Sequence, residues 1–181
     1  MQILEIFFIV VVFTCVIGII GLIYYNKFGE LIIYINEGEQ NIDEALRKKF
    51  DLLNRLINVI NGNVENVNDK FDDFIKLRGK KLTNFDMDRK LVACSVIFYE
   101  IGEAHKELKN IKNYTKMLKE LEENEERLIA AKSYYNNNIT TYNKLVRLFP
   151  SNLIAIFNKY QEKPFFDGKN MYDEVYNDFQ V

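Results

Sequence analysis

Residues 46–74 read LRKKFDLLNRLINVINGNVENVNDKFDDF, and within them Leu46, Phe50, Leu53, Ile57, Ile60, Val64, Val67, Phe71 and Phe74 recur at alternating steps of four and three. Steps averaging 3.5 residues return to one side of an α-helix, so this stretch predicts a long helix buried along a single seam. Ile42 and Ile35 continue the stripe backward with no proline in between. The helix is therefore expected to run from the apolar N-terminal region to about Leu77. Gly79, in Arg78-Gly79-Lys80-Lys81, reads as its stop signal.

Upstream of the stripe, Ile6 to Tyr25 contains no charged side chain. About 20 apolar residues cross the hydrocarbon core of a bilayer, so residues 6–25 are expected to form one transmembrane helix, with residues 1–5 as a short segment before it. A cleavable signal would show a basic start, a shorter apolar run and a small-residue cut site, and the sequence has none of these. Tyr24 and Tyr25 occupy the place of an interfacial aromatic belt, with Lys27 as a snorkelling anchor. Basic residues flank this segment only on its C-terminal side, at Lys27 and then Arg47, Lys48 and Lys49. That asymmetry predicts an outside N-terminus and a cytoplasmic remainder.

Downstream, a second helix is expected from Asn84, turning Leu91, Cys94, Phe98 and Ile101 inward, with a turn at 104–109. A third repeats the four-three spacing through Ile111, Tyr114, Leu118, Leu121, Glu125, Leu128, Lys132, Tyr135, Ile139, Tyr142, Val146 and Phe149, and stops at Pro150. Ser151 is placed to cap a short helix ending near Asn158. These elements make the chain all-α: a transmembrane helix, then a long antiparallel, up-and-down bundle of about four helices over residues 26–166. Residues 167–181 form an acidic-aromatic tail, in which Tyr172, Tyr176 and Phe179 alternate with Asp173, Glu174 and Asp178. The aromatic pair just before it, Phe165 and Phe166, either docks on the bundle or, with the tail, recruits a partner.

Composition narrows the function. With 181 residues, a net charge of −2, one His and two Cys, the chain lacks the basic excess of nucleic-acid binders and the His and Cys ligands of a zinc site. Neither nucleic acid, metal nor cofactor is expected. No Glu-x-x-His pair, Gly-rich phosphate loop or nucleophile elbow occurs, and the cluster Glu122, Glu123, Glu125 and Glu126 covers more than one face of its helix. No catalytic residue is assigned, and the chain is not expected to be an enzyme.

Two stripe positions are polar, Glu125 and Lys132, one heptad apart. Either the helix drifts off the 3.5 repeat and Ala131 takes the seam, or the two belong to a buried polar layer fixing register, with Asp51 or Arg47 as partners. Tyr135-Asn136 and Tyr142-Asn143 are also seven apart. Their rings share one stripe and their amides the next, which suits a hydrogen-bonded packing ladder or a partner-binding stripe.

The second half also carries a family pattern: Leu-Glu-Glu-Asn-Glu-Glu-Arg from 121, Ser-Tyr-Tyr-Asn from 133, Tyr142-Asn143, then Phe149-Pro150-Ser151-Asn152. This resembles the LemA family of bacterial membrane proteins, at Glu125, Arg127, Tyr134, Tyr135, Asn136, Tyr142, Asn143, Phe149 and Pro150. Ile42-Asp43 and Arg47-Lys48-Lys49-Phe50-Asp51-Leu52 extend the likeness into the first half. The family's Ile-Pro-Asn-Leu is replaced by Leu53-Asn54-Arg55-Leu56, and its Tyr-Pro-Asp-Leu by His105-Lys106-Glu107-Leu108. The first loss leaves the long helix without a kink; the second removes a breaker from the expected turn. The resemblance implies a single-pass protein of the bacterial inner membrane with a cytoplasmic helical bundle, and it brings no enzymatic chemistry. The expected partners are therefore the bilayer, through residues 6–25, and an unidentified protein or a second copy of the chain. A scaffold for protein–protein interaction leads the functional readings, with a membrane-anchored sensor or signalling relay as the alternative. Asp51, Glu125, Arg127, Lys132, Tyr135, Asn136, Tyr142 and Asn143 are the positions expected to contact a partner or fix register.

Overall fold

The computed structural model describes residues 2–65, 67–77, 79 and 82–166; the expected acidic-aromatic tail, 167–181, lies outside them. The described residues form five α-helices: α1 Gln2–Asn61, α2 Asp72–Ile75, α3 Asn84–Ala104, α4 Lys112–Arg147 and α5 Ser151–Asn158. Short 3-10 turns occur at Asn68–Phe71 and Lys106–Asn110, and there is no strand among the described residues. Among the described residues, those up to Glu37 with Tyr135–Phe166 form one compact unit, and those within Gly38–Tyr134 form another.

In the Gly38–Tyr134 unit the heptad stripe is buried apart from the half-buried Phe50, but it is not one helix. α1 stops at Asn61 rather than near Leu77. The reason lies in Asn61-Gly62-Asn63: glycine costs about 1 kcal/mol in a helix interior, and asparagine offers the backbone a local alternative bond. Asn63 donates its side-chain amide to the Val59 carbonyl at 2.7 Å, satisfying an acceptor that a helix end leaves open. The chain then folds through the 3-10 turn into α2, and Val64, Val67, Phe71, Phe74 and Leu77 are still buried. Phe71 packs against Phe98 of α3 with centroids 5.0 Å apart, and Phe74 stacks on Phe50 of α1 at 4.8 Å. The apolar spacing thus marks the residues that reach the core, although the backbone between them bends. Gly79 does take a left-handed conformation, φ 80°, in the turn beyond α2.

α3 begins where expected because Thr83 caps it: its hydroxyl oxygen accepts the Asp86 backbone N–H at 3.1 Å. Leu91, Cys94, Phe98 and Ile101 are buried, as the sequence spacing requires. The turn after Ala104 forms without the family's proline, through the 3-10 segment that buries Leu108. α3 and α4 then run past each other in opposite directions. Gly102 lies against Tyr114, and Asp88 meets Lys132.

In the other unit, Phe28, Leu31 and Ile35 of α1 pack on Ile139 and Tyr142 of α4 and on Ala155 of α5. Phe28 meets the Tyr142 ring edge-on at 5.6 Å and Tyr160 at 4.8 Å. α4 ends at Arg147, short of the expected Phe149–Pro150 stop. Ser151 is the first residue of α5 and not its side-chain cap; its hydroxyl donates to the Leu148 carbonyl at 2.8 Å. At the other end, Lys159 sits at φ 57°, and the N–H groups of Tyr160 and Lys159 bond back to Ala155 and Ile156. That pair of bonds closes a helix end in the Schellman manner.

Candidate functional site

Of the eight polar positions singled out from the sequence, six fall into two clusters, one in each unit, and Asp51 and Arg127 stand apart from both. In the first unit the Tyr-Asn ladder holds the strap that follows α5. Asn143 is buried, donating its amide N–H to the Lys163 carbonyl at 2.8 Å and accepting the Lys163 backbone N–H at 2.9 Å. One heptad earlier, the Asn136 amide oxygen accepts the Phe166 N–H at 2.9 Å. Side-chain amides therefore stand in for a β-ladder, bonding an extended segment that has no helix of its own to satisfy its peptide groups. Arg147 grips Glu162 through both guanidinium and carboxylate arms, a fork geometry that fixes orientation as well as charge. The guanidinium holds the Glu162 carboxyl below the usual carboxylate range. Tyr142 is buried under the strap, with the Lys163 ammonium 5.9 Å from its ring centre. Burial, with a smaller effect from Tyr160, raises its phenol above the ordinary value. Tyr135 and Phe165 pack at the edge of the same apolar cluster.

The second cluster lies between α1, α3 and α4. Lys49 is fully buried and pairs with Glu125. Lys132 pairs with the largely buried Asp88 at 2.5 Å. Asn124, also buried, donates its amide to the Ala45 carbonyl of α1 at 2.9 Å. Glu125 and Lys132 thus meet Lys49 and Asp88 in place of the expected Asp51 and Arg47. Arg47 instead pairs with Asp43 in its own helix, at 2.8 Å. Asp51 is exposed and lines an open cleft of about 760 Å³ with Arg47, Phe50, Leu77 and Met87. Arg127 is exposed as well, beside Tyr134 in a second cleft of about 420 Å³.

Lys49, Asp88 and Asn124 were not legible as site residues. Lys49 lies three after Leu46 and four before Leu53; Asn124 lies three after Leu121 and four before Leu128. Each satisfies the helical spacing as well as its apolar or acidic neighbour, Phe50 or Glu125, and only hydrophobicity favoured the wrong one in the first case. The Asn124 signal was present, a neutral amide able to bury itself where a carboxylate would not.

Chemically, this second cluster locks helices together. Its carboxylates and ammonium groups pair with one another, with the Oδ1 of Asp88 left buried and without a hydrogen-bond partner, and the nearby thiol is suppressed. Burial pushes Cys94 up from 9.0 to about 12, with Lys49 opposing weakly, so the thiolate needed for nucleophilic or metal chemistry does not form near neutral pH. No cluster of three potential metal ligands occurs among the described residues.

The model of the LemA family matches residues 38–179. The chain belongs to the LemA family. Both polar clusters fall inside the matched span, which assigns the Tyr-Asn ladder, Glu125 and Lys49 to the LemA part of the chain, while the apolar stretch 6–25 precedes it. No curated protein matches the sequence.

Proposed function

We propose that this LemA-family chain is a non-enzymatic, membrane-anchored scaffold. It would present a helical bundle to a protein partner, or to a second copy of itself, at the cytoplasmic face of a bacterial inner membrane. The observation that carries the reading is α1. Not one residue in its most apolar 18-residue window is buried, while the same helix continues to Asn61 as a core element. An apolar helix surface that the protein leaves uncovered needs a nonaqueous surrounding, and a span of about 20 residues fits a bilayer. Lys27, Arg47, Lys48 and Lys49 favour an outside N-terminus. Opposed directions of α3 and α4, and the contacts of α1 with α4 in each unit, support the reading of the folded part as an antiparallel bundle of four helices.

Two experiments test the proposal. Protease added to sealed inverted and right-side-out vesicles should cut the bundle only when the cytoplasmic face is exposed; cutting from the opposite side refutes the orientation. Crosslinking in intact cells followed by pull-down should recover a discrete partner or a dimer, and recovery of the monomer alone refutes the scaffold. A signalling relay is the second reading, favoured by the unbroken course of α1 from Gln2 to Asn61. Adding one residue near Gly29 turns everything beyond it by about 100°. A relay should lose its output on that insertion, and a scaffold should not.

A further inference from the structure

The apolar surface of this protein does not end with α1. Beside it, the elbow and short helix from Leu148 to Phe157 expose Leu148 at 59%, Phe149 at 79%, Leu153 at 47%, Ile156 at 69% and Phe157 at 83%. The opposite side of α5 is covered, with Ser151 and Ala155 buried. Five large apolar side chains turned outward around one eight-residue helix make a contiguous patch of the kind that soluble surfaces avoid.

Its position identifies what covers it. A methyl group added to Gly21 would lie 3.6 Å from the Ile154 side chain. α5 is therefore seated on the last turns of the apolar stretch that ends at Tyr25, and Ile17, Ile20 and Leu22, all within four residues of Gly21 in that stretch, are exposed as well. Four residues of helix separate Gly21 from Tyr25, about 6 Å along the axis at 1.5 Å per residue. Amphipathic helices lying in a membrane surface sink about 5–10 Å into the boundary between headgroups and acyl chains. The flanks carry the complementary charge: from 144 to 163, Arg147 and the only acid, Glu162, neutralise each other, and the remaining charged side chains are the bases Lys144, Lys159 and Lys163. A basic rim around an apolar face suits anionic headgroups.

We infer that the elbow Leu148–Phe157 is a second membrane contact, a helix lying in the bilayer interface beside the spanning segment. It fixes the depth and rotation of α1, so that the bundle is held by two points on the lipid surface. This rests on the anchor reading above, and the test separates the two. The chain contains no Trp, so single replacements report on their own surroundings. Full-length protein carrying Phe157→Trp, Phe13→Trp or Tyr99→Trp is reconstituted into phosphatidylcholine–phosphatidylglycerol vesicles, with the lipid brominated either just below the headgroup or near the chain end.

Phe157→Trp should show blue-shifted emission quenched more by the shallow bromines, at a depth of about 5–10 Å. Phe13→Trp should be quenched more by the deep ones, and the half-exposed Tyr99→Trp by neither. Deep quenching of Phe13→Trp with none at Phe157→Trp overturns this inference and leaves the anchor standing. Blue-shifted but unquenched Phe157→Trp means that protein covers the patch, and overturns it equally. Absence of quenching at Phe13→Trp removes the anchor and the inference together.

Discussion

Lys49 and Glu125 allow a test in which two changes to one ion pair should have unequal consequences. The Lys49 side chain is 1% exposed, whereas the Glu125 side chain is 31% exposed. At an effective dielectric constant near 20, unit charges about 4 Å apart attract by about 4 kcal/mol, and removing one partner of a buried pair costs about 3–5 kcal/mol because the other charge is stranded. Glu125→Gln strands an ammonium that water cannot reach directly. The partial exposure of Glu125 lets solvent screen the pair, so the expected loss is reduced to about 2–3 kcal/mol. Lys49→Met instead removes the buried charge, keeps most of the side-chain volume, and leaves a carboxylate that can hydrate. Its expected effect is within about 1 kcal/mol of zero, in either direction. The double variant should resemble Lys49→Met alone. Guanidinium unfolding of the detergent-solubilised full chain, followed by tyrosine near-ultraviolet circular dichroism, measures all three. Equal losses from the two single changes, or a larger loss from Lys49→Met, would falsify the claim that the desolvated lysine governs this contact.

Gly102→Ala should destabilise by about 1–3 kcal/mol despite the better helix propensity of alanine, because the new Cβ would fall 2.6 Å from the hydroxyl of the buried Tyr114; an unchanged thermal midpoint would show that the ring can retreat. Lys159→Gly should stabilise by about 1 kcal/mol, since lysine holds φ 57° at the end of α5, and a fall in the midpoint would count against that reading. In a Cys15→Ser background, Cys94 should resist maleimide at about pH 8 until the protein is denatured, because its thiol is pushed up to about 12 by burial. A folded-state value above the unfolded one means that this contribution to stability is complete below about pH 9 and disappears as the pH climbs toward 12. The buried Tyr114 and Tyr142 phenols, also raised by burial, act in the same direction, so a midpoint rising over that alkaline range would contradict the burial of all three.

Helical periodicity reports burial more faithfully than it reports continuity. Val64, Val67, Phe71 and Phe74 reach the core, as their spacing demands, yet a 3-10 turn and the four-residue α2 carry the last of them. Two requirements compete there: the stripe rewards keeping the spacing, while Asn61-Gly62-Asn63 lowers the cost of leaving the helix. A turn that returns the same side chains to the same neighbours satisfies both, and no pattern of apolar residues distinguishes it from a straight rod. The lost prolines teach the converse. Without one at Leu53-Asn54-Arg55-Leu56, α1 continues through; without one at His105-Lys106-Glu107-Leu108, the chain still turns, because the 3-10 segment burying Leu108 suffices.

The polar positions were less legible for a reason particular to seams with a four-three repeat. Between two apolar residues seven apart, two positions face inward almost equally, and only the partner helix decides which. Glu125 and Asn124 compete between Leu121 and Leu128, and Phe50 and Lys49 between Leu46 and Leu53. In the structure both members of each contest are used: Asn124 and Lys49 take the buried place, while Glu125 and Phe50 stand at its margin. That division is what lets Lys49 reach Glu125, since a buried ammonium needs an acceptor at the rim of its own pocket. The Tyr-Asn ladder escapes the ambiguity because its partner is peptide backbone. Asn136 and Asn143 need only the N–H groups of Phe166 and Lys163, which any strap sequence supplies, so fixed amides can hold a segment whose side chains differ. If so, Asn143→Leu, which keeps the side-chain volume but loses both bonds, should open the strap, and Asn143→Asp, which keeps the acceptor for the Lys163 N–H but buries a carboxylate against the Lys163 carbonyl, should open it as well. Proteolysis within residues 159–166 of the solubilised chain reads both, and an Asn143→Leu chain cut no faster than the original would mean that packing volume holds the strap, with the paired hydrogen bonds secondary.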